Sequence, residues 1–356
     1  MKNTGILLFA ITLITIFSCN KSNEKPKIFE NLHGKSIKHK DIDSFIVKAM
    51  DSLKLPGLTM ALIKNNKITY TGYFGVENTK TKTPVTEQTI FEAASLSKPL
   101  FAYFVMKQVD KGILDLDTPL YEYFPYKDID YDDRYKKITA RMVLSHTSGF
   151  PNWREGDSLK IFFELGSQFG YSGEGYQYLK DVVVHLLKTT DVGLDSIFQS
   201  EVSEVIGAKY LHYTRSEERN RLKAMGHYEG KPTEDWNDGD PTLFGSAYSA
   251  QTTAIDYAKF LIGVMEKKVL SEESLNEMLK AQSKTPEDWD EPNWTLGFGL
   301  LPTDDGTKYT HTGSNADFQA YCHFIPEKGY AIVMFCNSDM LFEEDFVEMT
   351  VDFLEK

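Results

Sequence analysis

Ser95-Leu96-Ser97-Lys98 sets a hydroxyl and an amine three residues apart, just before Leu100 to Val109, a run that is apolar nearly all round. Residues three apart share a helical face, so the amine can reach the hydroxyl. A helix that is apolar on every side is buried. Burial and the positive end of the helix dipole both lower a lysine's pKa. A lysine that can stand neutral can take a proton from a serine, which makes Ser95 the candidate nucleophile and Lys98 its proton acceptor. Pro99 suits a first helical turn but resists helical geometry at Lys98, so an irregular first turn is expected. The same spacing at Ser22 to Lys25 lies in a polar, lysine-rich stretch with no buried helix behind it.

The elements that must position this pair follow from periodicity. A helical stripe (Ile42, Phe45, Ile46, Ala49, Met50, Leu53) is stopped by Pro56-Gly57. Leu58 to Ile63 and Ile68 to Phe74 read as a hairpin around Lys64-Asn65-Asn66-Lys67. Thr139 reads as the N-cap of a short helix running to His146, a loop-end histidine expected to bond nearby backbone. A helix follows the glycine-rich stretch around Tyr171, and further helices begin at Thr253 and Ser271. From Trp294 the period returns to strands: Thr295 to Leu301, Tyr309 to His311, Phe318 to Ile325 and Tyr330 to Phe335. A last helix carries Phe346, Met349, Phe353 and Leu354. The expected fold is α+β, an antiparallel sheet built from both chain ends and flanked by helices. Residues 39–90 and 291–356 form the sheet lobe, and 91–290 a mostly helical second lobe, with the Ser95 helix at the seam.

The chain has 356 residues and a formal charge of −13, with no basic cluster, which argues against nucleic acid as a partner. Lys2, the apolar run Ile6 to Phe17 and Ser18-Cys19 resemble the signal and lipobox of bacterial lipoproteins. On that resemblance residues 1–19 are a signal peptide, Cys19 is lipidated, and 20–38 are a tether. The domain at 39–356 would then be held to a membrane of the cell envelope, outside the cytoplasm. Cys322 and Cys336 fall on two strands around Glu327-Lys328-Gly329. Pairing Ile325 with Tyr330 sets Cys322 opposite Val333, on the other face from Cys336, so two buried free thiols are expected.

Ser95-x-x-Lys98, Tyr171-Ser172-Gly173 and His311-Thr312-Gly313 occur in that order. With Leu144-Ser145-His146-Thr147-Ser148-Gly149 and Gly297-Phe298-Gly299, the sequence resembles the serine β-lactamase and penicillin-binding-protein superfamily, in its class C-like branch. The resemblance implies a β-lactamase/transpeptidase-like fold and an acyl-enzyme formed on Ser95. It implies Lys98 as base and Tyr171 as the relay to the leaving group, with a phenol that ionises more easily than usual. It implies the backbone N–H groups of Ser95 and Ser314 as oxyanion hole, with His311, Thr312, Gly313 and Gly173 against the substrate.

Gly173 stands where the family usually has an amide-binding Asn, and His311 where it often has Lys. A histidine at its ordinary pKa is mostly neutral at pH 7 and recovers charge near pH 5.5. Both departures weaken the case for penicillins and for free C-terminal D-alanine. The expected function is a serine hydrolase of an ester or amide, acting as a monomer on a small-molecule or peptide-like substrate, without metal or organic cofactor. The alternatives are a D-amino-acid peptidase, carboxypeptidase or β-lactamase on cell-wall-type material, and a non-catalytic binding protein on the same fold.

Overall fold

The computed structural model describes residues 27–233 and 239–356; the expected signal peptide, Cys19 and the first part of the tether lie outside them. Eight antiparallel strands form the main sheet. In spatial order they are Lys67–Gly75, Gly57–Lys64, Tyr330–Cys336, Gln319–Ile325, Gly306–Ser314, Gly299–Thr303, Asn293–Trp294 and Ser283–Lys284. The pairing of Ala331 with Ile63 and Cys336 with Leu58 joins the N-terminal hairpin to the C-terminal strands. The sheet is thus built from both ends of the chain, as expected.

The central strands are covered on both faces, which is why Tyr330-Ala331-Ile332-Val333-Met334-Phe335-Cys336 is continuously apolar rather than alternating. Met60, Leu62, Ile332 and Met334 pack toward the terminal helices His39–Leu53 and Phe346–Glu355. Phe45 of the first stacks on Phe353 of the last at 4.2 Å. Ala61, Ile63, Val333 and Phe335 face the other core, with the helices Ser97–Asp110 and Ala254–Met265. Each fully buried side chain of this size contributes roughly 1.5–3 kcal/mol. The hairpin register sets Ile325 against Tyr330 and Cys322 against Val333. Cys322 joins one core and Cys336 the other, and both thiols are free.

Three expectations need correction. Residues 28–38, read as tether, are part of the fold: Ile28–Glu30 pairs with Ser36–Lys38. The Asn31 side chain accepts from His33 N and Lys35 N to close the turn, and fully buried Phe29 anchors the ribbon in the core. The strand expected from Thr295 begins at Gly299 instead, because the Thr295 hydroxyl accepts from Phe298 N at 3.1 Å and holds a turn there. Asn293–Trp294 and Ser283–Lys284 add two short strands, the second within the stretch expected to be helical.

Candidate active site

The Ser95 turn is tightly held. Ala94–Leu96 is a 3₁₀ turn that leads directly into the helix Ser97–Asp110. Ala94 has φ +47°, the left-handed region that a non-glycine residue enters at a cost of about 1 kcal/mol or more. Ser97 Oγ donates to Ala94 O at 2.6 Å and accepts from Ala250 N at 2.9 Å. The Tyr257 hydroxyl donates to Leu96 O at 3.1 Å, and the Tyr213 hydroxyl to Ser97 O at 2.6 Å. One hydrogen bond within the turn and three from distant elements therefore fix the turn that presents Ser95.

Lys98 lies behind it, 1% exposed. Its Nζ donates to Ser95 Oγ at 3.2 Å and to Ala247 O at 3.0 Å. Burial pushes the amine down to about 7, so a large fraction is neutral at physiological pH. Tyr171 completes the group: Lys98 Nζ is 4.6 Å from its ring centroid. Burial raises the Tyr171 pKa, and a hydrogen bond with Ser95 only partly opposes this. The expected easier ionisation is thus corrected. Lys98, itself largely neutral, does not offset the desolvation of the phenol, and Tyr171 is a neutral hydroxyl.

His146 positions Tyr171. Its Nδ1 accepts from Ser172 N at 3.0 Å, its carbonyl accepts from Gly170 N at 2.7 Å, and its ring lies 4.3 Å from that of Tyr171. An acceptor at Nδ1 places the proton of the neutral ring on Nε2. Burial and the nearby Lys98 hold its pKa well below the ordinary value.

Gly306–Ser314 runs along the Ser95 turn. A Cβ on Gly313 would lie 2.7 Å from Ala93 O and 3.0 Å from Ser95 N, so only glycine permits this approach. Thr312 and Ser314 are exposed on this strand and line the cleft with Ser95. His311 lines it too but is 3% exposed. Its Nδ1 donates to Thr312 O at 2.6 Å, which leaves Nε2 as an unpartnered acceptor. Burial, reinforced by Lys98, lowers its pKa to about 3. The expected recovery of charge near pH 5.5 is therefore overturned: His311 is neutral throughout the working range.

Gly173 opens the helix Gly173–Leu186, capped by Ser172 Oγ on Gly175 N at 2.9 Å. A Cβ at Gly173 would meet the Trp153 ring at 2.6 Å and Asn152 O at 2.9 Å. Asn152 lies beside Gly173 and lines the cleft, and sequence reasoning missed it. Its Oδ1 accepts from Gly173 N at 3.1 Å, which orients the amide nitrogen as the free end in the cleft. Arg154 pins the loop through Glu174 at 2.7 Å and Asp128 at 2.7 Å.

The cleft measures about 630 Å³, within the usual range for small-molecule sites. A serine and a largely neutral lysine at the seam of an α+β fold, below such a cleft, define a protein of the β-lactamase/transpeptidase-like serine hydrolase class. The Beta-lactamase family model matches residues 42–352, and the chain belongs to that family. It is similar to a beta-lactamase of Pseudomonas fluorescens, 24% identical over 84% of this chain and 93% of that one. It is also similar to protein flp of Staphylococcus aureus strain MW2, 20% identical over 86% of this chain and 64% of that one. Among solved structures, D-alanine carboxypeptidase AmpC from Burkholderia cenocepacia superposes with TM-score 0.74 and 19% identity, over 89% of this chain and 98% of that one. The octameric penicillin-binding protein homologue from Pyrococcus abyssi gives TM-score 0.72 and 22% identity, over 85% and 74%.

Proposed function

We propose that this chain is a class C-like serine hydrolase that cleaves an ester or amide through an acyl-enzyme on Ser95. The observation that carries the reading is the 3.2 Å contact between Ser95 Oγ and a lysine amine whose burial leaves it largely neutral near pH 7. Neutral Lys98 takes the Ser95 proton as Oγ attacks the substrate carbonyl. The backbone N–H groups of Ser95 and Ser314 receive the developing oxyanion, an arrangement worth several kcal/mol. Tyr171, neutral and in contact with Ser95, passes its proton to the leaving group as Lys98 returns to it the proton taken from Ser95, and water then releases the acyl chain. His311 offers no charge to a substrate carboxylate, which favours substrates without one over penicillins or free C-terminal D-alanine.

A panel of p-nitrophenyl esters, D-aminoacyl anilides and nitrocefin tests this. Ester or anilide turnover well above nitrocefin supports the reading; nitrocefin as the best substrate returns the protein to β-lactam chemistry.

The Asn152 amide holds the substrate's own amide or ester carbonyl in place of the side chain absent at Gly173. Asn152→Ala should lower kcat/KM for an amide by about tenfold, the worth of a lost hydrogen bond of roughly 1–1.5 kcal/mol. A matched ester and amide pair measures it, and unchanged values for both would remove Asn152 from the site.

A lipid anchor at Cys19 in the bacterial cell envelope is part of the proposal, supported by the apolar run Ile6 to Phe17 before it. A Cys19→Ser variant should leave the membrane fraction; one that stays there as the parent does overturns the anchor.

A further inference from the structure

The wall of the cleft facing solvent is acidic and aromatic. Asp288, Asp290 and Glu291 line the same cavity as Ser95, interleaved with Trp289 and followed by Trp294. Among the described residues no lysine or arginine lines it, and none of the three carboxylates is in an ion pair. Glu291 is fixed in place by a hydrogen bond from the Thr310 hydroxyl of the adjoining strand. The neighbouring groove shares Asp290 and Glu291 and adds Asp345 and Glu348, with Lys308 as its one basic lining residue among those described.

Two buried atoms in the cavity wall point to a polar ligand. His311 Nε2 is an acceptor without a partner, and the Trp294 indole N–H is a donor without one. Both side chains are 3% exposed. The rings of Trp289 and Trp294 stand 5.8 Å apart, and those of Tyr171 and Trp289 6.1 Å apart, so π faces border the carboxylates. Aromatic faces and carboxylates both attract cations. Ring faces set beside carboxylates suit an organic cation.

We propose that the cleft selects substrates carrying a positively charged amine, held by Asp288, Asp290, Glu291 and the face of Trp289 while Ser95 attacks the scissile carbonyl. This rests on the serine hydrolase reading and narrows its substrate class. The ammonium enters a potential built by several acids, gains the ring faces of the tryptophans, and finds in neutral His311 a lone pair rather than a competing charge. A substrate carboxylate in the same place meets repulsion from the three carboxylates. The overall charge of −13 strengthens that bias by drawing cations toward the protein.

The test uses the p-nitrophenyl ester of trimethylammonio-butyric acid beside its tert-butyl carbon isostere, equal in shape and differing only in charge. The wild type should prefer the cationic ester in kcat/KM by about tenfold or more at low salt, and less as salt rises. Asp288→Asn, Asp290→Asn and Glu291→Gln should each cut the ratio by about threefold, and the triple variant should bring it close to one. A wild-type ratio near or below one overturns the proposal, as does a ratio the triple variant leaves unchanged while its melting transition shows it folded. Binding of the corresponding non-hydrolysable ethers, read by tryptophan fluorescence, separates the two levels of failure. Preference for the cation in binding without turnover sinks the hydrolase reading and leaves the charge selectivity standing. Equal binding together with Ser95-dependent turnover sinks the selectivity alone.

Discussion

Ser95→Ala should abolish turnover, with kcat falling by at least about a thousandfold, a barrier change of about 4 kcal/mol. On the proposed mechanism the substitution removes the atom that bonds to the acyl group, and neither neighbouring hydroxyl is placed to take over. Ser97 Oγ is committed to Ala94 O and Ala250 N, and Tyr171 is held neutral. The fold should be little affected, because the hydrogen bonds that hold the strained turn come from Ser97, Tyr213 and Tyr257. Steady-state hydrolysis of a p-nitrophenyl ester with a matched melting curve measures both quantities. Activity within about tenfold of the parent would show that Ser95 is not the nucleophile.

The second large effect belongs to Lys98, and it runs in opposite directions for activity and stability. Lys98→Arg should lose at least about a hundredfold in kcat, since a guanidinium cannot act as base. In the parent, the rising limb of kcat/KM against pH should lie near 7, where the buried amine loses its proton. Stability follows the same lowered pKa. Between pH 7 and the ordinary lysine value of 10.5 the unfolded chain binds a proton that the folded chain does not. Stability therefore rises with pH across that window, and below pH 7 the full penalty of burial applies, about 5 kcal/mol. Lys98→Met removes this penalty and loses the bond to Ala247 O, so it should gain about 2 kcal/mol or more at pH 7 while hydrolysis is lost. Urea midpoints at pH 7 and pH 10 read the gain and its decline; a less stable methionine variant at pH 7 contradicts a neutral buried lysine.

What could be read in the chain was whatever depends on local spacing. The Ser95–Lys98 pair, the buried helix after it, the cap at Thr139, the helix starts at Thr253 and Ser271, and the register that separates Cys322 from Cys336 all follow from residues a few positions apart. The site's electrostatics did not follow, because they depend on burial by distant elements. His311 was expected to gain charge in mild acid, yet the packing that seals it lowers its pKa to about 3. Tyr171 was expected to ionise readily, and desolvation does the reverse. Asn152 escaped notice because it acts across a gap of 21 positions, through its bond to Gly173 N. The one available signal was the absence itself, a glycine where an amide was expected, which asks what fills the space. Residues 28–38 looked like tether because their composition is polar, yet Phe29, Leu32 and Ile37 are buried in the core and fold them in.

The most direct test of the account is the mass of the intact protein after brief exposure to a fluorophosphonate, followed by peptide mapping. The account predicts one adduct per chain, on the peptide containing Ser95, absent in Ser95→Ala and slower below pH 7 as Lys98 takes up its proton. No adduct, or an adduct on any other serine, contradicts it.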